Sequence, residues 1–179
     1  YNGEVYNYLE LQPDLEKKGH IFKTTCDTET IIHLYEEYGH ECLKYLNGMF
    51  SFVIVDTKKN EVFMVRDRLG IKPLYYYEDN QKVLFGSEVK SIIQDKTVPK
   101  QIDMEAMGSL FTLGYVPAPK TAYRNIQKLL PGHYMTFKNG VLSKPFQYWD
   151  LEFNEDFSMD ESQAIDSVKN LLTDSINLR

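Results

Sequence analysis

Hydrophobic positions change period along this chain, and the changes mark its elements. The opening run "YNGEVYNY" has little apolar pattern, and Asn2, Gly3 and Glu4 in succession are poor material for a packed core strand. "YNYLELQPDLEKKGH" follows with helical spacing. Leu9 and Leu15 lie on its apolar side, Asn7 is placed to cap it, Pro13 confines or kinks it, and Gly19 ends it. "IFKTT" reads as a short strand. "DTETIIHLYEEYGHECLKYLNG" is the clearest helix, with Ile31, Leu34, Tyr35 and Tyr38 at helical spacing. Asp27 is expected to cap its start and Gly39 to break it in two.

After the Asn47-Gly48 turn the period drops to that of strands. "MFSFVIVD", "EVFMVRD", "PLYYYED" and "KVLFGS" predict an antiparallel meander, apolar on both faces of its first two strands and so covered on both sides. "SEVKSIIQD" predicts a short helix, and "DMEAMGSLFTLGYVP" another that Pro117 stops. "GHYMTFKNGVLSKPFQYWDL" predicts a hairpin around Asn139-Gly140. "FNEDFS" reads as a polar linker to a final amphipathic helix whose buried face is Ile165, Val168, Leu172 and Ile176. No internal repeat is present. The order of elements predicts α+β with antiparallel sheet rather than βαβ units.

Composition narrows this picture. A length of 179 residues suits one domain, or one with an appendage. Hydrophobic residues at 42% and charged residues at 26% exclude a disordered chain. Aromatics at 13% favour strand-rich layers. A net charge of −6 without a basic cluster argues against nucleic-acid binding. No apolar run approaches the roughly 20 residues of a membrane span, and no signal peptide opens the chain. Two cysteines, Cys26 and Cys42, make no disulfide framework and point to a reduced cytoplasmic setting. The sequence starts without Met and in mid-element, which suggests a fragment.

The candidate chemistry lies in "NGE" and "CDTE". The Asn2 side-chain amide and the Gly3 N–H can donate to an oxyanion, and the Glu4 and Asp27 carboxylates can clamp an ammonium, as an α-amino-acid substrate requires. The plainer readings are a turn at Asn2-Gly3 and a helix cap at Asp27. His20, His33, His40 and His133 form no metal-ligand pattern with the cysteines and read as solvated or core residues. Cys42 reads as core. Arg66, Asp67 and Arg68 read as a structural ion-pair group, Lys72-Pro73 as a bend, and Tyr75 to Tyr77 as sheet packing.

"YNGEVYNY", "CDTET", "LNGMFSFVIVD", "RDRLGIKPLYY" and "FGSEVKSII", in this order, resemble the successive signatures of the glutamine amidotransferase domain of glutamine-hydrolysing asparagine synthetases. "LGYVPAPKTAYRNIQKLLPGHY" and "YWDL" resemble that family's approach to its synthetase domain. The resemblance implies an N-terminal-nucleophile-type sandwich of two antiparallel sheets flanked by helices, here N-terminally truncated. Residues 1–150 would be the body of the glutaminase domain and 151–179 the linker and first helix toward the synthetase domain.

It also implies catalysis by a Cys at the mature N-terminus, whose thiol attacks the glutamine amide and whose α-amine is the base. That Cys, an Arg for the substrate carboxylate and the ATP-binding loop "SGG.DS" have no match in this sequence. The chain by itself is therefore expected to be inactive. By motif, Asn2 and Gly3 become the oxyanion hole, Asn2, Gly3 and Glu4 contact glutamine, and Asp27 holds its ammonium. No cofactor and no metal are expected within the chain; ATP and Mg²⁺ belong to the parent enzyme. The partners implied are glutamine, the synthetase domain of the same parent chain and, as an assembly, a homodimer. The alternatives are a non-catalytic glutamine-binding or assembly module, and an amidotransferase of this type with a different acceptor in surface-sugar or antibiotic biosynthesis.

Overall fold

The computed structural model describes residues 1–155 and 158–178. The expected linker at "FNEDFS" includes residues 156–157, which lie outside the described residues, as does Arg179. In chain order the elements are β1 (Asn2–Val5), α1 (Tyr8–Lys17), α2 (Asp27–Tyr38), a 3₁₀ segment (Gly39–Lys44), β2 (Gly48–Asp56), β3 (Glu61–Arg66), β4 (Tyr75–Glu78) and β5 (Val83–Gly86). Then come α3 (Val89–Ile92), α4 (Met104–Leu113), β6 (Ile126–Lys128), β7 (His133–Lys138), β8 (Val141–Leu142), β9 (Phe146–Gln147) and α5 (Glu161–Asn177). The class is α+β with two antiparallel sheets, as the pattern predicts. These elements fall into two compact units, Tyr1–Glu4 with Gly48–Trp149, and Val5–Asn47 with Asp150–Arg179.

The first unit holds both sheets. One has the order β1-β2-β3-β7-β8, with β9 also paired to β7; the other has the order β5-β4-β6. The expected meander is thus two separate hairpins. β2 pairs β3 and β4 pairs β5, but β3 finds its second neighbour in β7. The chain leaves the first sheet at Arg66 and reaches the second at Tyr75. The Asn139-Gly140 hairpin forms as expected, with Phe137 opposite Leu142. Met64, Met135 and Leu142 of the first sheet pack with Tyr76 of the second and with Leu74 and Leu129 to make the core between them. On the other face of β3, the Phe63 ring meets Phe52 and Tyr134 edge-on. Phe63, Met64 and Val65 are all within 1% of full burial, so β3 is covered on both faces. Under the second sheet, Ile92 of α3 packs with Tyr77, Val98 and Ile126.

Asp103 caps α4 by accepting from the Glu105 and Ala106 amides. This helix stops earlier than expected. Gly114 takes the left-handed conformation at φ +78°, which closes the last turn before Pro117 is reached.

In the second unit α2 ends at Gly39, as the pattern predicts, and continues as the 3₁₀ segment. Leu15, Ile31, Leu34, Tyr35, Cys42, Leu43 and Leu46 are buried, whereas Leu9 is exposed. "IFKTT" is no strand. The Glu29 carboxylate, in the first turn of α2, takes the Lys23 and Thr24 amides and the Thr24 hydroxyl, so this backbone is spent on the helix start rather than on a ladder. Asn7 makes no capping bond; its amide donates to the Tyr45 carbonyl and its side-chain oxygen accepts from the Asn47 amide. α5 opens with a capping box between Asp160 and Gln163. Its stripe Ile165, Val168, Leu172 and Ile176 is exposed, not the buried face expected.

Candidate functional site

The "NGE" run is a strand after all, at the edge of the first sheet. What permits it is Gly3. A Cβ there would lie 2.1 Å from the Met49 carbonyl oxygen and 2.6 Å from the Phe50 Cα. Both obstacles are backbone, and the residue sits at φ +143°, where side chains are strained. Gly3 therefore fixes how closely β1 approaches β2. Asn2 lies beside a cavity of about 220 Å³ lined also by Ser51, Phe52, Leu74, Phe85 and Ser87. The Asn2 side-chain amide donates a long bond of 3.4 Å to the Ser87 hydroxyl. The cavity is smaller than the ~300–1,000 Å³ of sites for larger ligands. Its polar groups, Asn2, Ser51 and Ser87, stand against apolar walls. Glu4 is exposed.

Ser51 and Leu74 are positioned by the segment between the two sheets. Arg66 donates to three carbonyls, those of Lys72 at 2.9 Å, Leu129 at 2.7 Å and Gly70 at 2.7 Å. Asp67, 1% exposed, accepts from the Leu69 and Ile71 amides at 3.0 Å, from Lys72 at 2.9 Å and from Phe50 at 3.3 Å. Arg66 and Asp67, two of the three residues expected as an ion-pair group, direct these hydrogen bonds to backbone groups. Burial disfavours the charged guanidinium and pulls the Arg66 pKa down, while Asp67 opposes the shift. Arg68 lies over the Trp149 ring. The braced loop ends at Pro73, whose carbonyl accepts the Ser51 hydroxyl at 3.0 Å.

Asp27 belongs to the second unit. It is the first residue of α2 rather than its cap, which is Cys26. One carboxylate oxygen accepts the Val5 amide at 2.9 Å, tying the helix start to the residue that follows "NGE" in the chain. The other is approached by the Cys26 thiol and the Thr28 hydroxyl, each at 3.4 Å. A carboxylate at a helix N-terminus is also favoured by the dipole. The thiols are unpaired. Burial pushes Cys42 up to about 12, which rules it out as a nucleophile at neutral pH. Ser51 and Ser87 were not singled out from the sequence, although Ser87 stands in "FGSEVK". A concavity of about 550 Å³ runs along α5 alone; one helix face encloses nothing, so it is no rival site.

A family model described as a glutamine amidotransferase domain matches residues 1–149. The chain belongs to this family. Among its relatives, putative asparagine synthetase (glutamine-hydrolyzing) 2 of Methanocaldococcus jannaschii is 39% identical over the whole of this chain and 35% of its own length. Asparagine synthetase (glutamine-hydrolyzing) 3 of Bacillus subtilis is 35% identical over 98% of this chain and 28% of its own length. Amidase chry2 of Gibberella zeae is 30% identical over 99% of this chain and 26% of its own. This amidotransferase domain thus spans about a third or less of these relatives. The solved structure of glutamine phosphoribosylpyrophosphate amidotransferase from B. subtilis shares the fold, with a TM-score of 0.55 at 22% identity over 83% of this chain and 28% of that one. No helix among the described residues is long and apolar enough to cross a membrane.

Proposed function

We propose that this amidotransferase domain is the glutamine-hydrolysing part of a glutamine-dependent asparagine synthetase. The observation that carries this reading is the family match over residues 1–149 together with relatives bearing that name along nearly all of the chain. In the proposed reaction a Cys thiol from the parent protein attacks the carboxamide carbon of glutamine. The carbonyl oxygen becomes an oxyanion, to which the Asn2 amide and the Gly3 N–H donate. The C–N bond breaks, the amide nitrogen takes up the proton given up by the thiol and leaves as ammonia, and water hydrolyses the thioester to glutamate, returning the thiol. Glu4 and Asp27 serve the substrate ammonium. Ammonia then displaces the activating group from aspartate in the synthetase part, where ATP and Mg²⁺ act. Within this domain the fit of Asn2 rests on its place at the cavity, and that of Gly3 on a backbone no side chain obstructs.

The test uses the longer protein that carries this domain. Asn2→Ala is expected to lower glutamine-dependent amidation and to spare ammonia-dependent amidation; equal loss with both nitrogen sources would overturn the assignment. A second reading changes the acceptor alone, and the 30% identity to a fungal amidase favours it. Ammonia release from glutamine without asparagine formation from aspartate and ATP would select that reading.

A further inference from the structure

Three side chains of the second unit converge in a way that glutamine hydrolysis does not require. The Nδ1 atoms of His20 and His33 are 3.1 Å apart. The Glu36 carboxylate stands 3.0 Å from the His33 Nδ1 and 3.7 Å from the His20 Nδ1. His33 and Glu36 share a face of α2 at a spacing of three residues, and His20 follows Gly19, just past the end of α1. We propose that His20 Nδ1, His33 Nδ1 and Glu36 bind one divalent transition-metal ion, with Zn²⁺ as the ion of choice and solvent completing its coordination.

The distances support it. Bonds of about 2.0–2.2 Å to N and O in a tetrahedron separate ligand atoms by about 3.3–3.6 Å, and the three observed separations bracket that range. Imidazole and carboxylate suit Zn²⁺ and its neighbours. Ligation through Nδ1 leaves each ring with its hydrogen on Nε2, and each Nε2 faces a carboxylate. His20 Nε2 is 3.3 Å from Glu37, and His33 Nε2 is 3.6 Å from Glu29. The His20–Glu37 contact is the outer arrangement that orients a metal-bound histidine; the His33–Glu29 pair is at ion-pair distance without a hydrogen bond. Both imidazoles are largely buried, and the Phe22 ring packs edge-on against His33, 4.6 Å between centroids. Glu29, Glu36 and Glu37 surround the pair, with Lys18 offsetting Glu37 at 2.6 Å. A divalent cation is the ligand this excess of negative charge fits. The sequence hid the site because its ligands include no Cys and lie in two segments. The inference does not rest on the glutaminase reading.

The test is Zn²⁺ titration of the full chain, stripped of metal by a chelator and carrying Cys26→Ser to remove the exposed thiol. One ion per chain is expected. His20→Gln and His33→Gln should each weaken binding by about 100-fold, and Glu37→Gln by about 10- to 100-fold through the lost outer contact. Histidine ¹⁵N spectra should show Nδ1 ligated and Nε2 protonated in both rings. If a histidine variant fails to fold, Glu36→Gln decides, because that side chain is 54% exposed and its loss leaves the fold intact. Binding must then weaken by at least about tenfold. No saturable Zn²⁺ binding, or binding unchanged in folded variants, overturns the proposal.

Discussion

Replacing Asp67 by Ala should be among the most destabilising single changes in the first unit. Asp67 is 1% exposed and accepts four backbone amides, from Leu69, Ile71, Lys72 and Phe50. The first three contacts are at 2.9–3.0 Å, while the Phe50 contact is longer at 3.3 Å. A hydrogen bond to a charged group contributes about 1.5–3 kcal/mol, and a buried amide left unpaired costs about 1–3 kcal/mol. The loop amides regain water in part once the carboxylate is gone, and contacts to one group do not add. We expect about 3–5 kcal/mol for Asp67→Ala, a large share of a typical 5–15 kcal/mol stability. Asp67→Asn keeps one acceptor oxygen but turns an NH₂ group toward amide donors, so it should cost about 2 kcal/mol. Urea unfolding measures both, provided the denaturant slope is unchanged between variants. A loss below about 1 kcal/mol for Asp67→Ala would show that the loop does not depend on this carboxylate.

Other outcomes follow from the same structure. Gly3→Ala should cost about 1–3 kcal/mol from the positive φ alone, more with the clash against Met49; denaturant unfolding or faster amide exchange along β1 and β2 reads this, and an unperturbed protein refutes it. Thiol titration should find Cys26 reactive in the native chain, and both cysteines only after unfolding. Because burial raises the Cys42 pKa from 9.0 to about 12, its contribution to stability is complete below pH 9 and is lost as pH rises toward 12. Over that range Cys42→Ala should flatten the fall in stability. Asp27→Ala should cost about 1 kcal/mol through the released Val5 amide, and in the longer protein should raise the glutamine KM more than it lowers kcat. A pure kcat effect would contradict the proposed ammonium contact.

Much of this architecture was legible because packing obeyed period. The apolar "VFMV" run announced a strand covered on both faces and Asn139-Gly140 announced its hairpin, whereas "SFVIV" buries only one face throughout, its other face opening to solvent at Val55, 63% exposed. What stayed hidden depended on side chains reaching the backbone at a distance. Nothing in "RDRLGIKP" says that Arg66 and Asp67 will satisfy loop carbonyls and amides and so divide the meander between two sheets. Glu29 unmade the expected strand at "IFKTT" in the same manner, and Val5 took the carboxylate that Asp27 was expected to spend on its own helix. Among the candidate residues, Asn2, Gly3 and Asp27 stood out through motif. Ser51 and Ser87 did not, since a serine carries no signal until a cavity forms around it.

The most direct test of the account is the nitrogen-source dependence of Asn2→Ala in the longer protein carrying this domain. Steady-state amidation is measured with glutamine and then with ammonia. Loss of one oxyanion donor should lower the glutamine-dependent kcat by about 10² to 10³-fold, with the ammonia-dependent rate nearly unchanged. If both rates fall equally, or if neither falls, Asn2 is a residue of the sheet edge and not of the glutaminase reaction.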